Sequence, residues 1–297
     1  MHKNYLLSKA DSFWKCIFDA MASPCEILFH ADFDIDAQKF AEFAYTETKR
    51  IESKFSRYLS GNIIDKINSS NGSRIEVDHE TARMFDFAQQ CYKLSDGLFD
   101  ITSGVLRKCW TFDGTDQTPQ RDKLESLLSL VGFEKIIWDK PFIQLQPEMQ
   151  IDFGGIGKEY AVDRVAEFAK SYNISKVMVN FGGDIRAINA DLDSSPWVIG
   201  IENPEQQSNA IGKVELLNGG IATSGDANRF CFYNGKRLGH ILNPKTGFPI
   251  EDAPRSVTVI STNCTEAGII ATMAMLQGND AEEFLELQDV KFNCVRV

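Results

Sequence analysis

Along the chain, apolar residues first fall into helical spacing at Phe40, Phe43, Ala44, Ile51 and Phe55, with only Glu47 interrupting the stripe, which predicts an amphipathic helix over 37–57. A second helix is expected over 81–94, ending in the turn Ser95-Asp96-Gly97. From 142 to 153 the period changes to two: Ile143, Leu145, Met149, Ile151 and Phe153 lie on one side, with Pro147 in step. That alternation predicts half-buried strand, and the proline predicts an edge or a break between two short strands. A glycine turn and a helix over 159–172 follow, then a valine-rich strand over 176–180. Residues 185–188 and 197–201 read as its partner strands, 256–261 as one more β-branched strand, and 265–277 as an apolar helix rich in Ala and Met. Strands and helices mix without a regular βαβ rhythm, so the fold class expected is α+β or an irregular α/β rather than a doubly wound sheet.

Composition narrows the classes. A chain of 297 residues that is 43% hydrophobic can bury a substantial core. Its net charge of -11 opposes general binding to nucleic acid or an anionic membrane. Seven scattered cysteines without a CxxC pair read as reduced thiols, and neither zinc nor an iron–sulfur cluster is suggested. The N-terminus lacks a secretory apolar region, and no stretch approaches the ~20 apolar residues of a membrane span, so a cytoplasmic location is expected.

Glycines gather where strands feed turns: Gly154-Gly155-Ile156-Gly157-Lys158, Phe181-Gly182-Gly183-Asp184, and Gly219-Gly220 followed by Thr223-Ser224-Gly225-Asp226. Such turns let backbone N–H groups approach phosphate oxygens, and a helix starting at Lys158 adds its dipole. Each pair alone is equally a plain turn, and neither a Walker A pattern nor GxGxxG is present. His240 precedes a turn dense in Pro and Gly; by position it is either a structural histidine or a base poised to take a proton from a hydroxyl. Thr272 shares a helix face with Gly268, where its hydroxyl either bonds back to the helix or faces a ligand.

Taken in order, these segments resemble the FAD:protein FMN transferases of the ApbE family over roughly residues 21–278. The resemblance rests on Met21-Ala-Ser-Pro-Cys25, Ser56-Arg-Tyr58 leading to Ile64-Asp-Lys-Ile-Asn68, Ser95-Asp-Gly-Leu98-Phe99-Asp100-Ile-Thr102-Ser-Gly104 and Trp110. More specific are Asp152-Phe-Gly-Gly155-Ile-Gly-Lys158-Glu-Tyr160-Ala-Val-Asp163, Val179-Asn180-Phe-Gly-Gly183-Asp184, Thr223-Ser224-Gly225-Asp226 and His240-Ile-Leu-Asn-Pro-Lys-Thr-Gly247.

The resemblance implies an extension over 1–20 and one α+β unit over 21–297, with mixed or antiparallel sheets and flanking helices forming an FAD cleft. FAD is then contacted near Met21, Tyr58, Leu98, Phe99, Asp100, Asp152 and Lys158, and by Gly183, Asp184, Thr223, Ser224 and His240 of the matching motifs. The reaction implied is attack by a Thr or Ser hydroxyl of a target flavoprotein on the FMN phosphorus, with AMP leaving. His240 is the candidate base and Lys158 offsets phosphate charge, while N–H groups near Gly154 and Gly183 orient the phosphates. Neither nucleic acid nor membrane enters as a partner.

A divalent ion, usually Mg2+, is implied beside the diphosphate, mapped here to the Gly155 carbonyl and to Thr272. The family's metal-binding Asp, however, maps to Gly268, which removes a hard anionic ligand. Glu266 falls on another face of the helix, about 240° round from Thr272. Asp226, Asp252 or a water ligand remain as substitutes. Two smaller departures accompany it: Asn243 stands where Asp usually precedes Pro, and Glu159 where Gly usually follows the Lys. The alternatives kept open are an FAD pyrophosphatase and an FAD-binding protein with weak or no transfer.

Overall fold

The structure, a computed structural model, describes residues 4–10, 13–191, 193–205 and 210–296. An eight-stranded sheet forms its centre: β1 (Leu6–Ala10), β2 (Phe13–Ala20), β3 (Ser23–His30), β4 (Lys176–Phe181), β5 (Asp184–Asn189), β6 (Gly219–Gly225), β7 (Ser256–Ser261) and β8 (Lys291–Val295). In space they follow the same order, and every neighbouring pair is antiparallel. The architecture is α+β with antiparallel sheet, as expected. Residues 6–20, within the expected extension, supply two of the sheet's strands.

Period-two alternation sorts the two faces. On β4, Val177, Val179 and Phe181 enter the large core, while Met178 enters a smaller cluster on the other face. The large core is covered by α1 (Asp34–Phe55), α3 (Gly157–Phe168) and α4 (Cys264–Leu276), with α2 (His79–Leu94) adding Met84 and Phe85. The first two helix expectations are met within a turn, and the stripe Phe40, Ala44, Ile51 and Phe55 is buried. The third ends earlier, because 169–172 tightens into a 3-10 turn closed by Asn173 at φ 59. Glu47 is buried between Arg50 and Arg164, which hold its carboxyl below the usual range although burial opposes them, and so it ties α1 to α3.

Two strand expectations need correction. Over 142–153 the odd apolar residues are buried as the alternation requires, but only Phe142–Gln144 pairs as strand. Pro147 is exposed, and Glu148 turns the chain at φ 68. Residues 197–201 are strand, but they pair with Ala210–Leu216 in a separate ribbon whose Ile199 and Leu216 cover the smaller cluster. An alternating pattern specifies which side is buried, not which neighbour supplies the hydrogen bonds.

A third apolar cluster stands apart from the large core. It gathers Val105, Leu106, Trp110, Leu124, Cys231, Leu238 and Leu242 beneath the hairpin Phe230–Tyr233/Lys236–Gly239, and His240 leaves the end of that hairpin.

Candidate active site

Two hairpin tips sit side by side at one end of the sheet. The β2–β3 tip is Met21-Ala22 and the β4–β5 tip is Gly182-Gly183; all four residues have positive φ. Two-residue turns of this kind suit the sheet's twist and favour glycine. Gly182 answers that demand, and a side chain there would also meet the Ser23 Cβ at 2.8 Å. Met21 and Ala22 do not answer it and carry backbone strain of about 1–2 kcal/mol each. The Met21 N–H is held by the Glu52 carboxylate of α1. Strain of this kind, held in place by its surroundings, clusters at ligand sites.

Below the second tip, Lys158 in the first turn of α3 pairs with Asp184 at 2.7 Å. Burial works against the lysine's charge, but the Asp184 and Glu159 carboxyls prevail and hold its pKa above the ordinary value. Asp184 is itself buried and accepts from the Thr223 N–H at 3.4 Å, while the Thr223 hydroxyl bonds that of Thr258 at 2.8 Å. Lys158, Asp184 and Thr223 are therefore brought together.

The turn before α3 is organised by Asp152, which accepts from the Gly154 N–H at 2.8 Å and from Arg57 at 3.2 Å. Arg57 also donates to the Gly104 carbonyl and lies against the Tyr58 ring, whose 79% exposure leaves it open to a planar partner. Phe99 lies 3.2 Å from where a side chain at Gly155 would begin, so a larger residue there would press on the Phe99 ring. Asp100 is turned inward: it accepts from the Thr102 N–H and hydroxyl and from the Phe133 N–H.

The expected phosphate-facing amides need correction. The Gly154 N–H is taken by Asp152, and the Gly183 N–H by the Asn180 side chain at 2.9 Å. Short polar side chains close to a glycine turn satisfy the turn before a ligand can.

Helices α3 and α4 pack against each other, and Asp163 fixes their register. Its carboxylate accepts from the Cys264 and Thr265 N–H groups at 2.9 and 2.8 Å and from the Thr265 hydroxyl at 2.6 Å, capping α4 from a neighbouring helix. One turn away along each helix, in opposite directions, Glu159 meets Gly268: a Cβ at Gly268 would stand 2.7 Å from the Glu159 Cγ and 3.2 Å from its Oε1. Glu159 Oε2 is buried with no hydrogen-bond partner. Burial, and then the Asp184 charge, push this carboxyl up. Thr272 lies one turn beyond Gly268 on α4, and Gly155 lies in the turn that precedes α3.

Of the other candidate carboxylates, Asp226 is enclosed by Arg237 and Arg255, and Glu266 accepts from the Ser261 and Thr262 hydroxyls. Among the described residues no cluster of three or more His, Cys, Asp or Glu side chains is arranged to hold a metal ion.

His240 belongs to the separate hairpin unit. Its ring packs edge-on to Phe112 at 6.3 Å, and its Nδ1 is buried without a partner. Burial, with the positive charges of Arg107 and Arg229, pushes its pKa down to about 4. Among the described residues no hydrogen bond or ion pair links it to Lys158 or Asp184. The following turn is pinned by the Trp110 indole, which donates to the Gly247 carbonyl at 2.9 Å.

Arg57, Asn180 and Asp163, which lie within quoted motifs but were given no role, and Glu52, which lies in none, emerge here as site-building residues. Asp163 closes a quoted motif, but its role on α4 becomes visible only in three dimensions.

Comparison with known proteins places these segments together. The sequence pattern of the ApbE family matches residues 21–295. A Haemophilus influenzae protein named FAD:protein FMN transferase is 30% identical, covering 78% of this chain and 70% of its own length. A Chlamydia muridarum protein of the same name is 27% identical over 99% of this chain and 94% of its own. Among solved structures, the ApbE protein of Thermotoga maritima superposes with a TM-score of 0.85 at 30% identity, covering 95% of this chain and 94% of that one. The flavin transferase ApbE of Vibrio cholerae gives 0.83 at 25%, covering 98% and 93%.

Proposed function

Since the chain belongs to the ApbE family, we propose that it takes FAD as a substrate and transfers the FMN half to a Thr or Ser hydroxyl of a target flavoprotein, releasing AMP. The observation that carries this reading is the pair between partly exposed Lys158 and buried Asp184, set between the strained hairpin tips and the Asp152–Lys158 turn within the matched segments.

In this reading Tyr58 offers an open ring to the flavin or adenine, and the Met21 tip and Leu98–Phe99 border the cleft. Asp152 and Asp100 act through the backbone they hold rather than as free ligands. Thr223 and Ser224 continue the same border beside Asp184. Lys158 faces the diphosphate, but Asp184 already balances its charge, and Glu159 adds a further acidic group. A diphosphate would meet little net positive charge from these residues. The orphaned Glu159 oxygen and the oxygen-only donors nearby suit a hard divalent cation, with the Gly155 carbonyl and Thr272 hydroxyl as its holders. When bound, Mg2+ supplies charge that stabilises the phosphates in the transition state.

His240 then accepts the proton of the attacking hydroxyl. It is neutral at ordinary pH, and so available as a base. A bound diphosphate would offset Arg107 and Arg229 and strengthen that base. The acceptor is assigned to a reducing, cytoplasmic setting: all seven thiols are unpaired, and no helix among the described residues is long and apolar enough to cross a membrane.

The test is to incubate the protein with FAD, Mg2+ and a flavin-free acceptor flavoprotein, following acceptor mass and AMP together. A mass gain equal to FMN with matching AMP is expected. FMN and AMP appearing free would make the protein a pyrophosphatase, and FAD bound without either product would make it a binding protein.

A further inference from the structure

The two departures at 159 and 268 lie far apart in sequence and meet in space. Gly268 has ordinary helical backbone, and the atoms nearest to where a side chain would begin are those of the Glu159 side chain. The Asp163 cap sets α3 and α4 in antiparallel register, so that 163 pairs with 264 and 159 with 268, while Thr272 lies one turn beyond Gly268 on α4 and Gly155 in the turn that precedes α3. A carboxylate is thus present where Gly268 has none, but it reaches in from the opposite helix. Its Oε2 is buried and accepts no hydrogen bond, and the carboxyl lies against that of Asp184, an arrangement of two acidic groups that costs free energy unless a cation engages it. Of the other carboxylates, Asp226 is engaged by Arg237 and Arg255 and Glu266 by two hydroxyls, while Asp252 is exposed in the turn before β7.

We propose that Glu159 supplies the anionic oxygen of the divalent-cation site, replacing from α3 the carboxylate that position 268 lacks and acting with the Gly155 carbonyl and the Thr272 hydroxyl. This rests on the transferase reading for the cation's presence beside the diphosphate. It makes the exchange of residues at 159 and 268 a single relocation of one ligand: with Glu at 159 an Asp at 268 has no room, and with Gly at 159 it does.

The test is a Mn2+ titration of the full chain, with bound metal read from the loss of the free-ion EPR signal, both alone and with saturating FAD. FAD binding is followed separately by flavin fluorescence. Glu159→Gln keeps the shape and removes the charge. Removing residues that merely brace a metal ligand already costs about 10–100-fold in metal affinity, so a weakening of at least that order is expected. Gly268→Asp alone should weaken Mn2+ binding and lower the melting temperature, because its Cβ meets the Glu159 side chain. The double variant Glu159→Gly with Gly268→Asp should recover both. Wild-type Mn2+ affinity in Glu159→Gln, no Mn2+ binding by the wild type, or failure of the folded double variant to regain binding would each overturn the proposal. Absence of FAD binding in the wild type would instead overturn the transferase reading, while the titrations with Mn2+ alone would still decide the role of Glu159.

Discussion

The α3–α4 helix pair and the hairpin unit carrying His240 hold their polar groups in opposite ways. In the helix pair most buried charges are answered: Lys158 by Asp184, Asp163 by the α4 N-terminus, Arg164 by Glu47. Glu159 is the exception. In the hairpin unit the key side chain is a neutral imidazole kept so by burial and two nearby arginines, over a small core of its own. A region that binds a diphosphate and cation must have fixed charges in fixed places, because its work is electrostatic preorganisation. A region that moves one proton needs a group able to change its charge. On the proposed reading, binding and proton transfer rest on separate cores, and should be separable by mutation.

The largest expected effect is on the hairpin side. His240→Ala should slow transfer by about 10²–10⁴-fold, the usual span for losing a general base, while FAD binding measured by fluorescence stays near wild type. Next is Asp163→Ala, which strips two amides of their cap and leaves Arg186 without its 3.6 Å partner. Breaking a buried ionic contact costs about 3–5 kcal/mol, readable by denaturant unfolding, and both FAD and Mn2+ binding should fall with it. Lys158→Ala should cost about 10²–10³ in transfer rate and also weaken FAD binding, which His240→Ala does not. If both variants lost binding equally, the division between the regions would fail.

A smaller effect concerns pH. His240 titrates near 4 when folded, against about 6.5 for an unfolded histidine. The unfolded chain therefore binds the extra proton between those values, and this contribution to stability is present above the upper value and lost as pH falls through the window. His240→Ala should flatten the stability profile there, measured as melting temperature against pH. The smallest effect is at the strained tip. Ala22→Gly relieves a residue at φ 57 and should stabilise by up to about 1 kcal/mol, the strain relieved less the entropy glycine adds to the unfolded chain.

Much of this was legible in the sequence, for reasons particular residues make plain. The stripe Phe40, Ala44, Ile51 and Phe55 announces α1, and Ser256–Ser261 was read to the residue, because helix and strand periodicity follow from local geometry. The alternation through Met149 and Phe153 reported burial but not pairing, since Glu148 breaks the ladder without breaking the pattern. Lys158, Asp184 and Thr223 were named separately and are found together; His240 was named and stands on a different core. What the sequence hid were contacts between distant segments. Asp152 and Asn180 closing the glycine turns, Asp163 capping α4, and Glu159 standing where Gly268 leaves space depend on a register that only packing sets.

The central claim is that the helix pair and the hairpin unit, though built on separate cores, hold one FAD between them. The most direct measurement is hydrogen–deuterium exchange of the full chain with and without saturating FAD. The account predicts that FAD slows exchange in both the 154–160 turn with its helix start and the 238–248 segment. Protection confined to one of these segments would contradict it.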